Sequence, residues 1–220
     1  MKKFILKTKY KQILADTITP VSVYLKVRDK FPNSILLESS DFHTNHNSFS
    51  YICCNPIASI KIENGLISTK FPDGTSDNIA ITNSTKVAEV VESFASNFIV
   101  EPNEFKFINN GLFGYISYDS VKYFEKINIS KKDSSTSIPE MQYHIYQNII
   151  AINHFKNEAF IFCHSLDSRD NTQELEQLLH SRNVAIYKFK KDEKGFSNLT
   201  DNEFKQNVAL AKKHCMRGDV

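Results

Sequence analysis

The sequence predicts an α+β fold with mainly antiparallel sheets and flanking helices. Segments with strand character outnumber segments with helical periodicity, and the strands follow one another as hairpins rather than as strand-helix-strand units. The turn at Asn64 and Gly65 is the clearest example, because these residue types adopt the positive φ angles that a two-residue hairpin turn requires. With 220 residues and 12% aromatic residues, the chain can bury a substantial, aromatic-rich core.

The first predicted elements are a helix from Pro20 to Phe31 and a strand that ends within the stretch ILLESS. Thr19 suits the N-cap of this helix, and Pro20 suits its first position. The apolar run of the strand stops at Glu38 and Ser39 without a Gly or Pro to mark a turn. Two interpretations are open: the strand emerges into water, or its end presents a carboxylate and a hydroxyl to a ligand with an ammonium group.

Further strands and helices are predicted along the rest of the chain from the spacing of apolar residues, which recur every two residues in a strand and every 3.6 residues in a helix. The predicted strands are FSYICC, ASIKIE, GLISTKF, NIAIT, GLFGYISY, YQNIIAINHF, EAFIFCH and VAIYKFKK. Predicted helices follow caps at Ser84, Asp119 and Thr200, and a further predicted helix begins at Asp170. Residues 128–137 are polar and aperiodic, which predicts an exposed loop.

The last predicted helix indicates a second domain. Thr200 and Glu203 form the pattern of a capping box, and Gly218 can end the helix. One face of the helix carries a stripe of apolar residues, which normally packs against another element of a domain. No further helix or strand follows it in these 220 residues. We therefore expect one domain over residues 1–195, and over residues 196–220 a linker and the first helix of a truncated domain.

The charge and the cysteine content of the chain argue against several classes of protein. The formal net charge is +2, with 27 basic and 25 acidic residues interspersed, so no basic surface for nucleic acid or for an anionic membrane is expected. No stretch is apolar enough for a signal peptide or a transmembrane span. The adjacent Cys53 and Cys54 would point to opposite faces of a strand. These features predict a cytoplasmic protein with reduced thiols.

The residues alone predict no catalytic or metal site. His43 and His46 are three residues apart in a polar loop beside Asp41, but no further pair of ligands accompanies them, so solvated loop histidines are the better interpretation. No glycine-rich phosphate loop and no nucleophile elbow is present. Catalysis needs two or three converging groups, and this sequence offers no such set.

Several stretches together resemble anthranilate synthase component I, a member of the chorismate-using enzymes. They are, in order, TPVSVYLKV, ILLESS, FSYICCNPIASI, GLFGYISYDSVKYFE, IPEMQYHIY and FKQNVALAKKHCMRGDV. Each stretch alone is a weak signal, whereas the ordered set covers nearly the whole chain, and LLES favours anthranilate synthase within the group. The resemblance implies a tryptophan-sensing N-terminal region here, with the catalytic residues and Mg²⁺ in a larger C-terminal chorismate-binding domain.

The resemblance also implies a feedback site for L-tryptophan at the end of the ILL strand. Leu37, Glu38 and Ser39 inherit the contacts with bound tryptophan, and Pro20 at the facing helix start is a further candidate. A carboxylate can accept the ammonium group, and Leu37 can pack on the indole. Over residues 47–51 this chain lacks the basic residue that relatives carry, so the partner of the ligand carboxylate stays open.

The activity implied for the whole enzyme is that of a lyase of tryptophan biosynthesis. It would convert chorismate to anthranilate by amination and elimination of pyruvate, with ammonia from a glutamine amidotransferase subunit, anthranilate synthase component II. The present 220 residues alone are expected to be inactive. Two alternatives stay open: component I of aminodeoxychorismate synthase, which shares the fold and the substrate, and a stand-alone amino-acid-binding regulatory module.

Overall fold

The computed structural model of the chain describes residues 2–38, 48–127, 129, 138–181, 188, 190 and 195–219. It divides into two compact units, residues 1–185 and residues 186–220. The predicted boundary between residues 195 and 196 stays a prediction. The predicted strand VAIYKFKK and the predicted loop at 128–137 lie almost entirely outside the described residues.

The described residues of the first unit form one nine-stranded sheet. Its strands are β1 (Phe4–Leu14), β2 (Ile35–Leu37), β3 (Phe49–Glu63), β4 (Leu66–Lys70), β5 (Ser76–Ala80), β6 (Phe98–Val100), β7 (Phe113–Ile116), β8 (Met141–Asn153) and β9 (Glu158–Ser165). The strand order is β5-β4-β3-β8-β9-β1-β6, and β2 pairs with β3 while β7 pairs with β8. All pairings are antiparallel except that of β1 with β6. The mainly antiparallel pairing that the sequence predicts is therefore present, and the strands form one large sheet.

Strand β1 is an element that the sequence analysis missed. It lies between β9 and β6, and its pairing with β9 runs from Lys7 opposite Ser165 to Leu14 opposite Glu158. Lysines interrupt its apolar residues, so only Phe4, Leu6 and Ile13 are buried along its eleven residues. Its backbone pairing with two neighbours, which no local pattern reveals, makes it a strand.

Three α-helices and a 3₁₀ helix accompany the sheet in the described part of this unit. They are α1 (Pro20–Val27), α2 (Val87–Ala95), the 3₁₀ helix (Tyr118–Tyr123) and α3 (Thr172–His180). Two predicted caps were wrong: Lys86 and Ser117 hold the N-cap positions that Ser84 and Asp119 were expected to hold. The helix predicted to begin at Asp170 begins at Thr172, with Asn171 at its N-cap. Helix α1 begins at Pro20 as predicted but ends at Val27 rather than at Phe31.

The glycines of GLFGY have two separate functions. Gly111 has a φ of 126°, a value that side chains disfavour, so it turns the chain into β7. Gly114 allows β7 to approach β8, because a Cβ atom at this position would lie 1.9 Å from the carbonyl oxygen of Gln142. The contact is with backbone, which cannot move aside as a flexible side chain would.

The buried apolar residues form three clusters. The cluster beneath α1 and α3 contains Val23, Val27, Ile52, Cys54, Ile150, Leu175 and Leu179, among others. The cluster beneath α2 contains Ile60, Ile62, Ile67, Phe94 and Met141, among others. An aromatic cluster contains Phe49, Phe113, Tyr146, Phe160 and Phe162, together with Cys53. Cys53 and Cys54 therefore face opposite sides of β3, as the sequence predicts.

The second unit contains one helix among its described residues, α4 (Asp201–Arg217). Thr200 and Glu203 form the predicted capping box, since each side chain bonds to the backbone N–H of the other residue. Gly218 ends the helix with a φ of 74°. These two features confirm the predicted start and end of the helix.

Among the described residues, we find no helix that is both long enough and apolar enough to cross a membrane.

Candidate functional site

The candidate ligand site is the end of strand β2. This short strand pairs with β3, so that Ile35, Leu36 and Leu37 lie opposite Cys53, Ile52 and Tyr51. Leu36 packs into the cluster beneath α1 and α3, whereas Ile35 packs into the aromatic cluster. The two faces of β2 are therefore anchored in different parts of the core, which fixes the register of the strand.

Leu37 lies at the edge of an aromatic surface. It shares one face of the sheet with its partner Tyr51, and it is 38% exposed. The Tyr51 ring stacks on Phe49 with centroids 6.1 Å apart, and Phe49 stacks on Phe107 at 4.5 Å. Burial raises the pKa of the Tyr51 hydroxyl, so this group stays neutral. The strand end therefore offers an apolar wall on which an aromatic ligand could rest.

Glu38 follows the last residue of β2 and is exposed. A carboxylate in this position, one residue after Leu37, can accept a hydrogen bond from a ligand ammonium group. Ser39 lies outside the described residues, as do His43 and His46. The expected roles of these three side chains stay predictions.

Pro20 occupies the first turn of α1 and is buried. The N-terminus of this helix is held by a capping box, in which Ser22 N–H donates to the Thr19 hydroxyl at 3.2 Å and Thr19 N–H donates to the Ser22 hydroxyl at 3.3 Å. The helix packs on β2 and β3. Pro20 thus belongs to the helix layer on the side of the sheet to which Leu36 points.

The structure places the predicted residues on two faces of the strand end. Side chains alternate along a strand, so Leu37 points away from the face that Leu36 and α1 share. Leu37 and Glu38 are neighbours, while Pro20 lies in the layer on the other side of β2. A ligand that contacted all of them would have to wrap around the end of the strand.

Two groups of polar side chains are engaged within the protein, one beside this strand end and one at the far end of β3. Ser50, at the start of β3, is buried. Its hydroxyl oxygen lies 2.7 Å from Nε2 of His154. The Lys122 ammonium pairs with Glu140, and the Tyr123 hydroxyl donates to the same carboxylate. These contacts tie the 3₁₀ helix to the start of β8.

The sequence analysis missed a polar face of the sheet formed by β3, β4, β5 and β8. Ser59 and Lys61 on β3 are flanked by Ser68 and Lys70 on β4, and Gln142 and His144 on β8 lie on the other side. The signal was present as polar residues at every second position, but each strand alone reads as an ordinary solvent-facing strand. Among the described residues, we find no three His, Cys, Asp or Glu side chains grouped as metal ligands.

Comparison with known proteins defines the class of protein. The family model of the chorismate binding enzyme matches residues 32–220. The chain therefore belongs to the chorismate binding enzyme family.

Individual relatives are named anthranilate synthase component 1, which confirms the resemblance found in the sequence. The Lactococcus lactis protein is 29% identical over 222 residues, covering 96% of this chain and 46% of the relative. The Acinetobacter calcoaceticus protein is 26% identical, covering 96% of this chain and 44% of the relative. The crystal structure of anthranilate synthase component I from Streptococcus pneumoniae shows 20% identity and a TM-score of 0.47, over 95% of this chain and 46% of that chain. This chain spans about half the length of these relatives.

Proposed function

We propose that this chain is the N-terminal, regulatory part of an anthranilate synthase component I. The observation that carries the proposal is the match to relatives of that name over 96% of the chain, together with membership of the chorismate binding enzyme family. The complete enzyme would convert chorismate to anthranilate in tryptophan biosynthesis.

The end of β2 is proposed to bind L-tryptophan as a feedback inhibitor. Leu37 and the stacked rings of Tyr51 and Phe49 would receive the indole, and Glu38 would accept a hydrogen bond from the ammonium group. Ser39 would hold the polar end of the ligand. Inhibition follows if tryptophan binds more tightly to a conformation that is less competent for chorismate.

The chemistry itself is proposed to lie in the part of the enzyme that corresponds to the other half of the relatives. That part would bind chorismate and Mg²⁺, and a glutamine amidotransferase subunit would deliver ammonia to it. We assign no catalytic residue among the 220 residues and propose that the converging catalytic groups lie in that other part. Residues 196–220 would open the catalytic domain.

The test is product formation by the polypeptide of the complete reading frame, purified with its glutaminase subunit. With chorismate, Mg²⁺ and either glutamine or an ammonium salt, we expect the fluorescence of anthranilate to appear and added L-tryptophan to suppress it. The 220-residue chain, assayed in parallel, should give no product. Formation of aminodeoxychorismate, or failure to consume chorismate, would contradict the proposal.

A further inference from the structure

The polar face of β3, β4, β5 and β8 is built by strand register. In the pairing of β3 with β4, Ser59 lies opposite Lys70 and Lys61 lies opposite Ser68. Directly opposed residues point to the same face of a sheet, and lysine side chains also reach their diagonal neighbours. The two ammonium groups, one on each strand, therefore project from the same side of the sheet with hydroxyl groups between them.

The face borders a cavity of about 600 Å³ whose lining is cationic. Lys61 and Lys70 both line the cavity, and none of its lining residues carries a carboxylate. Lys61 Nζ pairs with Glu63 at 2.8 Å, outside the lining, whereas Lys70 is exposed and forms no ion pair among the described residues. A free ammonium group beside hydroxyl and amide donors is the donor set that recognises an oxyanion.

His144 lines the same cavity and lacks one hydrogen-bond partner. Its side chain is 9% exposed, and its Nε2 accepts from the Gln142 amide nitrogen at 2.9 Å. A neutral imidazole that accepts at Nε2 carries its hydrogen on Nδ1, and this buried Nδ1 has no partner in the described residues. Unpaired buried polar groups are rare because they lose water without compensation.

We propose that this cavity binds a small organic or inorganic oxyanion, a phosphate or a dicarboxylate, between Lys61 and Lys70, with His144 as the inner donor. The final torsion of a histidine side chain is soft, so a small rotation brings the Nδ1 hydrogen to an acceptor in the cavity. The volume lies within the range of small-molecule sites. The residues belong to β3, β4 and β8, away from the end of β2, so this proposal is independent of the tryptophan site.

The test uses the 220-residue chain and NMR titration with sodium phosphate and, separately, with sodium succinate, at constant pH and ionic strength. We expect one of the two probes to produce saturable shifts of the His144 imidazole and of the backbone amides of residues 59–61 and 68–70. Sodium chloride should produce only small shifts that do not saturate. The probe that binds more tightly identifies the class of oxyanion.

Three variants decide whether the binding is specific. Lys70→Gln and Lys61→Gln should each weaken the binding about threefold or more, as expected for the loss of one exposed charge contact. Lys9→Gln is the matched control, because Lys9 is also an exposed strand lysine, and it should change the affinity by less than about 1.5-fold. The proposal is overturned if neither probe saturates, or if Lys9→Gln weakens the binding as much as Lys70→Gln.

Discussion

Asn148 and Asn171 exchange two hydrogen bonds through their side-chain amides. Asn148 Nδ2 donates to Oδ1 of Asn171 at 2.7 Å, and Asn171 Nδ2 donates to Oδ1 of Asn148 at 3.0 Å. Asn148 is fully buried on β8, and Asn171 holds the N-cap position of α3. The pair therefore fixes the start of the helix to the centre of the sheet, 23 residues earlier in the chain.

A double-mutant cycle should show that the two asparagines are coupled. Asn148→Ala and Asn171→Ala should each lower the free energy of unfolding by about 2 kcal/mol, because each leaves a buried or half-buried amide without its partner. In the double variant, the loss of free energy of unfolding should be about 1–2 kcal/mol smaller than the sum of the two single losses. Urea unfolding followed by circular dichroism provides the measurement. As a control, Asn148→Ala combined with Asn78→Ala on β5, three strands away, should be additive.

Gly114→Ala should destabilise the first unit strongly. The added Cβ atom would lie 1.9 Å from Gln142 O and 2.8 Å from Tyr143 Cα, so β7 would have to separate from β8. We expect the free energy of unfolding to fall by about 3 kcal/mol or more. Gly195→Ala, at a position with open space, should change it by less than about 0.5 kcal/mol. A small effect of Gly114→Ala in urea titration would show that the two strands can separate at little cost.

Replacement of Ser39 by Phe in the complete enzyme should remove feedback inhibition and leave catalysis intact. The ring would fill the proposed tryptophan site and take away a polar partner, which should weaken inhibition about a hundredfold. Anthranilate formation is measured against increasing L-tryptophan for the wild type and Ser39→Phe. Equal sensitivity of the two proteins would exclude this strand end as the inhibitor site.

Tryptophan binding can also be followed in the 220-residue chain itself. The chain contains 0 Trp, so all indole fluorescence arises from the added ligand. Glu38→Gln should weaken the binding about tenfold, because it removes the charge that faces the ligand ammonium group. Glu101→Gln replaces another exposed glutamate and should leave the affinity unchanged. If both variants bind as the wild type does, Glu38 makes no contact with the ligand.

The stability of the chain should fall as the solution is acidified below about pH 6.5. His164 is buried between β1 and the loop before β7, where its Nδ1 lies 2.9 Å from the Thr8 hydroxyl and its Nε2 2.8 Å from the Asn109 carbonyl oxygen. Burial lowers the pKa of the His164 imidazole and also that of His144. Each histidine therefore takes up a proton more readily in the unfolded chain than in the folded one.

The sign of this effect follows from proton linkage. The pKa of the imidazole in the unfolded chain is the ordinary value of 6.5. Above this pH the histidine is neutral in both states, so its protonation does not lower the free energy of unfolding. Below this pH the unfolded chain binds the proton more readily, so protonation favours unfolding. Between about pH 7.5 and about pH 5.5, each such histidine should lower the free energy of unfolding by at most about 1.4 kcal/mol. Urea unfolding across this range should show a shallower pH dependence for His164→Asn than for the wild type. His180→Asn, which alters an exposed histidine on α3, serves as the control.

Local sequence patterns predicted the elements whose cause is local. The capping box of Thr200 and Glu203, the turn at Asn64 and Gly65, and the start of α1 at Pro20 all appear as expected. Their stabilising interactions join residues within a few positions of each other, so the sequence displays both partners together. The alternation of apolar residues likewise placed Cys53 and Cys54 on opposite faces.

The errors occurred where distant residues decide the outcome. Strand β1 exists because β9 and β6 pair with its backbone, and its lysines obscure the apolar pattern. The ion pair of Lys122 with Glu140 likewise depends on the tertiary structure, because the 3₁₀ helix lies against the start of β8. Neither the pairing of β1 nor this ion pair can be predicted from the spacing of residues along the chain.

The candidate sites likewise have features that the sequence predicts and features that only the tertiary structure decides. The sequence by itself determined that a carboxylate follows an apolar strand at Glu38, and the resemblance of its ordered stretches determined the family. Only the tertiary structure decided that Leu37 faces Tyr51 while Pro20 lies on the other side of β2, and that Lys61, Lys70 and His144 meet around one cavity. The physical reason is that strand register brings together residues from β3, β4 and β8, and this register is set by backbone pairing between segments that are far apart in the sequence.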